Sequence, residues 1–148
     1  MSLQSRVMEE MKAAMKAKDT VALEALRAIK SALLLQKSEA GSAELTETDE
    51  IKLVQKLVKQ RKDSAAIFTE QGRNDLAEPE LAQVAVLEKF LPEQLSEEEI
   101  EKVVVMTIDA LGATNMKDMG KVMGAVNKEL AGQADGKTIS KIVKEKLG

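Results

Sequence analysis

The sequence predicts an all-α protein in which an N-terminal four-helix unit is followed by a small C-terminal helical bundle. Apolar residues recur with the 3.6-residue period of an α-helix in seven segments. The chain is also rich in Ala, Leu, Lys, Glu and Met, which lose little side-chain freedom in a helix. The alternation of β-branched and aromatic residues that is typical of strands is missing.

The first three helices are predicted from their periodicity and from the residues that cap them. The first spans residues 3–17, and Asp19 is the predicted N-cap of the second, which ends at Gly41. Apolar residues extend most of the way around the second helix, so we expect it to be the most buried one. Thr46 and Asp49 have the spacing of a capping box and open the third helix.

The fourth helix is predicted over residues 75–91, and Pro79 is expected either to kink it or to mark its start. Pro92 then interrupts the chain. Ser96 and the three glutamates that follow it resemble a second capping box. We interpret these acidic residues, together with Glu101, as charge at a helix start and not as a metal or catalytic cluster.

The segment around Pro92 is the predicted domain boundary, with an N-terminal domain over residues 1–92 and a C-terminal domain over residues 95–148. Three apolar faces with helical spacing follow the boundary. They span residues 100–111, 119–130 and 139–147.

The composition excludes several classes of active site. The chain has 148 residues, a net charge of −3, no Cys and no His. Thiolate and imidazole metal sites, cysteine nucleophiles and the Ser-His-Asp triad are therefore excluded, and we expect neither a metal nor a cofactor. Trp and Tyr are absent and there are two Phe, so a base-stacking platform is excluded as well.

The hydropathy pattern predicts a cytosolic protein without a membrane segment. No apolar run exceeds four residues. Charged residues follow the first few positions directly, so the apolar core of a signal peptide is missing.

Two cations lie among apolar residues on predicted helices. Arg61 falls within the apolar stripe of the third helix, and Lys30 lies near apolar residues of the second. They could line a polar pocket in the N-terminal unit. Alternatively, Arg61 pairs with Glu24 or Glu88 and Lys30 extends its aliphatic stem to solvent.

Gly120 and Gly124 are spaced four residues apart in the sixth helix, where each glycine costs about 1 kcal/mol relative to alanine. On a helical wheel they fall off the apolar face, beside Lys117, Lys121 and Lys128. This strip of bare backbone could admit a phosphate backbone or a partner helix. The other interpretation is an ordinary solvated face with glycines that pack inside the bundle.

The last helix carries a similar lysine face opposite its apolar residues. Residues 112–148 contain seven lysines against four acidic residues, so this part of the chain has a net positive charge. The candidate RNA-binding residues are Lys117, Gly120, Lys121, Gly124, Lys128, Lys137, Lys141 and Lys144.

Four short motifs resemble the GatB/YqeY family. They occur in the family's order along nearly the whole chain: LVKQRKDS at residues 57–64, FLPEQL at 90–95, DMGKVMGAV at 118–126 and GQADG at 132–136. The resemblance implies an all-helical protein with two domains. Its C-terminal part resembles the tail of the B subunit of the tRNA-dependent amidotransferase, an appendage that contacts tRNA while the chemistry takes place elsewhere.

The function that this resemblance implies is a non-catalytic, tRNA-associated protein that is accessory to transamidation. Its expected partner is tRNA or a tRNA-charging or amidotransferase protein. The label of a carbon–nitrogen ligase with glutamine as amido donor follows from the resemblance alone, because the residues do not support independent catalysis. The alternative is a protein-interaction module that docks a partner helix on Gly120 and Gly124.

Overall fold

The computed structural model describes residues 2–41 and 44–148. These residues form seven α-helices and one short 3-10 helix, and they contain no strand, which confirms the predicted fold class. Of the helices in this part of the chain, none is both long and apolar enough to cross a bilayer. The helices are α1 (Leu3–Ala17), α2 (Thr20–Ala40), α3 (Glu47–Glu70), α4 (Asn74–Glu88), α5 (Glu97–Leu111), α6 (Met119–Glu129) and α7 (Gly136–Leu147).

The chain forms two compact units, an N-terminal unit (Met1–Leu91) and a C-terminal unit (Pro92–Gly148). Residues 93–95 are hydrogen-bonded to the loop that follows α6. The Leu95 backbone N–H donates to the carbonyl of Gln133 at 2.9 Å, and the Gln94 side chain donates to the carbonyl of Gly132 at 2.6 Å. Residues 93 and 94, which the sequence prediction left between two domains, therefore bond within the C-terminal unit.

In the N-terminal unit, α1 and α2 form an antiparallel hairpin. Lys18 has a positive φ of 56° and ends α1, and the Asp19 carboxylate caps α2 by accepting from the Ala22 N–H at 3.0 Å. At the far end of the hairpin, the Lys37 ammonium donates to the Gln4 side chain at 2.7 Å. A loop of two residues is enough because the two helices pack directly side by side.

Helix α3 opens with the predicted capping box. The Thr46 hydroxyl accepts from the Asp49 N–H, and the Asp49 carboxylate accepts from the Thr46 N–H. Helix α4 begins at Asn74 and continues through Pro79. Pro79 is therefore not the start of the helix; it lies in the second turn, where its missing N–H leaves the Asp75 carbonyl without its usual intrahelical donor.

The core of the N-terminal unit is formed by one face of each of its four helices. Helix α2 contacts α1, α3 and α4. Apolar residues do extend most of the way around α2, but part of that apolar surface faces solvent, since Leu34 and Leu35 are 59% and 63% exposed. The core residues are Leu3, Val7, Ala14, Ala25, Leu26, Ile29, Leu33, Leu53, Val54, Val58, Val84, Leu87 and Phe90.

In the C-terminal unit, α5, α6 and α7 each contact the other two. The Ser96–Glu99 capping box opens α5 as predicted, and Gly112 ends it with a φ of 64°. Asp135 caps α7 by accepting from the Thr138 N–H at 2.7 Å. The core is aliphatic throughout and consists of Ile100, Val104, Val122, Val126, Leu130, Ala134, Ile139, Ile142, Val143 and Leu147.

Candidate nucleic-acid interface

Helix α6 is set in place by a tight turn that precedes it. The Asn115 side chain accepts from the Lys117 N–H at 2.9 Å, and the Asp118 carboxylate accepts from the Thr114 N–H at 3.2 Å. These bonds close the 3-10 helix Met116–Asp118. The prediction placed Lys117 on the α-helical wheel of α6, and this is wrong, because a 3-10 turn advances by about 120° per residue. Lys117 is nevertheless exposed, next to the start of α6.

The burial of α6 divides the helix into two faces. Val122 and Val126 are fully buried in the core of the C-terminal unit, and Met119 and Met123 are half-buried beside them. The opposite side, which we call the glycine–lysine face, is exposed. It consists of Gly120, Lys121, Gly124 and Lys128.

Both glycines of this face border open space. A Cβ atom built at Gly120 or Gly124 would have no heavy atom within 4 Å beyond its own helix. The interpretation in which the glycines pack inside the bundle is therefore wrong. Neither glycine has a positive φ, so backbone conformation does not require them either.

The lysines of α7 form a second exposed face. Lys137, Lys141 and Lys144 are exposed and fall within about 60° of one another on the helical wheel, opposite the buried Ile139 and Ile142. The neighbouring Lys146 is different, since it pairs with Glu101 of α5 at 2.6 Å.

The six candidate lysines carry free charge. Across residues 2–41 and 44–148, no carboxylate lies within ion-pair distance of Lys117, Lys121 or Lys128, or of the three lysines of the α7 face. A ligand phosphate would therefore not have to displace an internal partner.

Arg61 is half-buried and belongs to a network of three helices. Its Nε donates to the Gln83 side-chain oxygen at 2.8 Å, and the Gln83 amide donates to Glu24 at 3.0 Å. The Nη1 of Arg61 donates to the carbonyl of Leu57 at 3.1 Å. Direct pairing with Glu24 or Glu88 was the wrong expectation, because a glutamine side chain stands between the guanidinium and Glu24.

Glu88 instead pairs with Lys62 at 3.4 Å. Lys30 is exposed on α2, about 120° around the helix from Glu24. The structure thus places Lys30 and the Arg61 network on different flanks of α2. Every buried side-chain nitrogen and oxygen in the described part of the chain has a hydrogen-bond partner.

One surface feature was missed from the sequence. The Arg6 guanidinium lies 5.1 Å from the centre of the Phe90 ring and donates to the Lys89 carbonyl at 3.1 Å. With Glu9 and Glu10 these residues line a depression of about 250 Å³. Residues more than 80 positions apart meet here, so no local spacing could have indicated it.

The acidic residues at the start of α5 do not gather with others. Within the described ranges, no group of three or more Asp and Glu side chains is arranged to hold a metal ion. Glu99 serves its own helix as the second half of the capping box.

Comparison with known proteins gives two kinds of relative. Residues 4–147 match the family model described as YqeY-like protein. "Altered inheritance of mitochondria protein 41, mitochondrial" from Pyrenophora tritici-repentis is 32% identical over 146 residues, which cover 97% of this chain and 80% of that protein. Its namesake from Clavispora lusitaniae is 31% identical, with 88% and 77% covered.

The second kind of relative is the E subunit of glutamyl-tRNA(Gln) amidotransferase. The protein from Thermococcus gammatolerans is 33% identical over 103 residues. The match covers 67% of this chain and 16% of that protein. Because the family model spans nearly the whole chain, the chain belongs to the family of YqeY-like proteins.

Proposed function

We propose that the chain is a non-catalytic, tRNA-associated protein whose C-terminal unit contacts the phosphate backbone of a folded RNA. The contact surfaces are the glycine–lysine face of α6, with Lys117 beside it, and the lysine face of α7. The observation that carries the proposal is the pair Gly120 and Gly124. They border open space, which neither packing nor backbone conformation explains, and they lie beside unpaired lysines.

The chemistry of this surface suits phosphate. Each lysine is a flexible point charge that can reach a phosphate oxygen, and a helix surface without Cβ atoms lets the nucleic-acid backbone come close. Such contacts fix position and register but do not read bases. Recognition would therefore depend on the shape of the RNA, as is usual for helical RNA.

The amidotransferase relatives support this assignment. Their name associates the E subunit with glutamyl-tRNA(Gln), and this chain corresponds to a small part of that protein. A chain that matches only a small part of the E subunit suits an accessory role beside tRNA or an amidotransferase-type protein better than it suits the complete amidotransferase reaction. We keep the cytosol as the proposed location; the fungal relatives are named as mitochondrial proteins, and cell fractionation tests the difference.

The absence of His and Cys underlies the non-catalytic part of the proposal. We expect the purified chain to release no ammonia from glutamine. Release that a single substitution in this chain abolishes would contradict the proposal.

Charge reversal tests the interface directly. Replacing Lys117, Lys121 and Lys128 by Glu should abolish binding of the wild-type chain to unmodified tRNA, measured by fluorescence anisotropy at fixed salt. Folding should change little, because exposed helix positions usually alter stability by less than ~0.5 kcal/mol. The matched control reverses three exposed lysines of the N-terminal unit, Lys16, Lys52 and Lys56, and should bind nearly as well as wild type.

The glycines are tested separately. Gly124→Leu should weaken tRNA binding while leaving the C-terminal unit folded, because nothing lies within 4 Å of its Cβ position. Ala110→Leu adds an apolar side chain at an exposed position of α5 and should leave binding unchanged. If Gly124→Leu binds tRNA as wild type does, the close approach is refuted. If it disrupts a salt-insensitive complex with a protein, the helix-docking alternative is correct.

A further inference from the structure

The hairpin of α1 and α2 exposes apolar side chains along one side of its seam. Met8, Met15 and Leu34 are 50%, 54% and 59% exposed. Met11 and Leu23 are half-buried and pack against the core next to them. Isolated exposed apolar residues are normal on a protein surface, but these share one strip. We call Met8, Met11, Met15, Leu23 and Leu34 the methionine–leucine strip.

The helical geometry brings the two halves of the strip together. On α1, Met8 and Met15 fall about 20° apart on the wheel, and Gln4 falls on the same edge. On α2, Leu34 falls about 60° from Lys37. The 2.7 Å bond between Lys37 and Gln4 joins these two edges, so both halves of the strip border the same side of the hairpin seam.

The exposed charges beside the strip within α1 and α2 are basic. Lys12, Arg27 and Lys30 are exposed and fall within about 60° of strip residues on their own helices. No acidic residue within the two helices falls as close; Asp19, four residues before Leu23, is the N-cap of α2, and its carboxylate accepts from the Ala22 N–H. Glu9 lies about 100° around α1 from Met8, and Glu24 lies on the opposite flank of α2, where it binds Gln83.

We propose that the methionine–leucine strip docks an acidic amphipathic helix of a partner protein. The seam between two antiparallel helices accepts a third helix by ordinary ridge-and-groove packing. Methionine side chains are flexible and adapt to a partner's surface, which suits them to such a groove. Lys12, Arg27 and Lys30 beside the strip favour acidic residues on the flanks of the incoming helix.

This surface is distinct from the one that carries the proposed function. It lies in the N-terminal unit and combines apolar and basic groups, whereas phosphate contact needs no apolar strip. Membrane-surface helices carry Trp, Phe and Leu on their apolar face, whereas three of the five strip residues are methionines, which adapt to the surface of a protein partner. The chain has no Trp, and neither of its two Phe residues lies on the strip. The observations therefore favour a helix as the occupant.

The test uses the full chain and a synthetic peptide of about 18 residues, or five helical turns, with Leu at helical spacing and Glu elsewhere. Labelled methionine methyl groups report where the peptide binds by NMR. We expect shifts at Met8, Met11 and Met15. Methionines 106, 116, 119 and 123 of the C-terminal unit should be unaffected. The same peptide with Lys in place of Glu should not bind.

Variants distinguish docking on the strip from non-specific hydrophobic binding. The triple change Met8→Ser, Met15→Ser and Leu34→Ser should raise the peptide Kd about tenfold or more, because it removes the exposed apolar anchors. The matched control changes three other exposed apolar residues: Leu35→Ser, Ile67→Ser and Met106→Ser. It should leave the Kd unchanged. Circular dichroism confirms that both variants are folded.

Several results would overturn the proposal. They are no binding of the acidic peptide, equal binding of the lysine peptide, and the same Kd in the triple variant as in its control. Binding to anionic phosphatidylserine vesicles without binding to the peptide would assign the strip to a membrane. A dimer that the triple variant abolishes, seen by sedimentation velocity without peptide, would assign it to a second copy. Loss of tRNA binding in the C-terminal variants leaves this proposal untouched.

Discussion

The two units both leave apolar side chains exposed, but their outer surfaces differ in composition. The N-terminal unit has 91 residues and four long helices, and it leaves apolar residues such as Met8, Leu34 and Ile67 in contact with water. The C-terminal unit has 57 residues, and its core consists of aliphatic side chains from three short helices. It exposes apolar residues too, Met106 at 71% among them, but the outer faces of its α6 and α7 carry lysine and glycine. Size therefore does not distinguish the two outer surfaces, whereas their composition does.

The largest expected effect comes from the same core truncation in each unit. Ile29→Ala and Ile139→Ala should each cost about 2–5 kcal/mol, because both side chains are fully buried. At about 0.05–0.15 kcal/mol per residue, the C-terminal unit has about 3–9 kcal/mol of stability and the N-terminal unit about 5–14. Ile139→Ala should therefore lower amide exchange protection in α5–α7 by a larger fraction than Ile29→Ala lowers it in α1–α4. Equal loss in both units would mean that they unfold as one.

The second effect concerns independent folding of the C-terminal unit. We propose that a fragment of residues 92–148 folds alone and shows a cooperative thermal transition by circular dichroism. A fragment of residues 96–148 lacks the bonds from Gln94 and Leu95 to the loop after α6, and should be less stable by about 2 kcal/mol. A fragment 92–148 without a cooperative transition would show that the unit depends on the N-terminal one.

Helix caps offer a matched pair with a smaller effect. Thr46 and Ser96 each accept from the backbone N–H three residues later, in equivalent capping boxes. Replacing either by Ala should cost about 0.5–2 kcal/mol. Thermal unfolding checks this, since 1 kcal/mol shifts the Tm of a small domain by about 4–8 °C. A Tm change for Ser96→Ala alone would mean that α3 is held by packing and not by its cap.

The smallest expected effect is a loss of stability of the N-terminal unit at low pH. The hydrogen bond from the Thr46 N–H lowers the pKa of Asp49, and the Arg73 guanidinium lowers the pKa of Asp75. Such carboxylates stabilise the folded state above their unfolded pKa of about 4, and the contribution is lost as pH falls through the folded pKa. The double variant Asp49→Asn and Asp75→Asn should therefore show a shallower loss of Tm between about pH 5 and pH 2. If the double variant keeps the pH dependence of Tm of the wild type, these two carboxylates do not cause the loss of stability in acid.

Features set by neighbours in the sequence could be predicted, and features set by packing could not. The caps at Asp19, Thr46 and Ser96 were predicted correctly, because a side chain and the N–H it accepts from lie three residues apart. The exposure of Leu35 was not predicted, because periodicity gives a direction around the helix but not which neighbour covers it.

The candidate interface shows the same division. The outward position of Gly120 and Gly124 followed from the wheel, but the open space around them needed the structure. Lys117 was misplaced because a 3-10 turn does not follow the period of the helix it precedes. Gln83, which bonds Arg61, was missed because it comes from another helix 22 residues along the chain.

The salt dependence of tRNA binding shows whether Lys117, Lys121 and Lys128 contact RNA phosphates. If lysines contact phosphates, the logarithm of the binding constant falls linearly with the logarithm of salt concentration, with a slope of about 0.7–0.9 per contact. We expect a steep slope for the wild-type chain. If residual binding of the Lys117, Lys121 and Lys128 glutamate variant is measurable, its slope should be shallower by about 2–3. Equal slopes, or wild-type binding that salt does not weaken, would show that these lysines do not contact RNA phosphates.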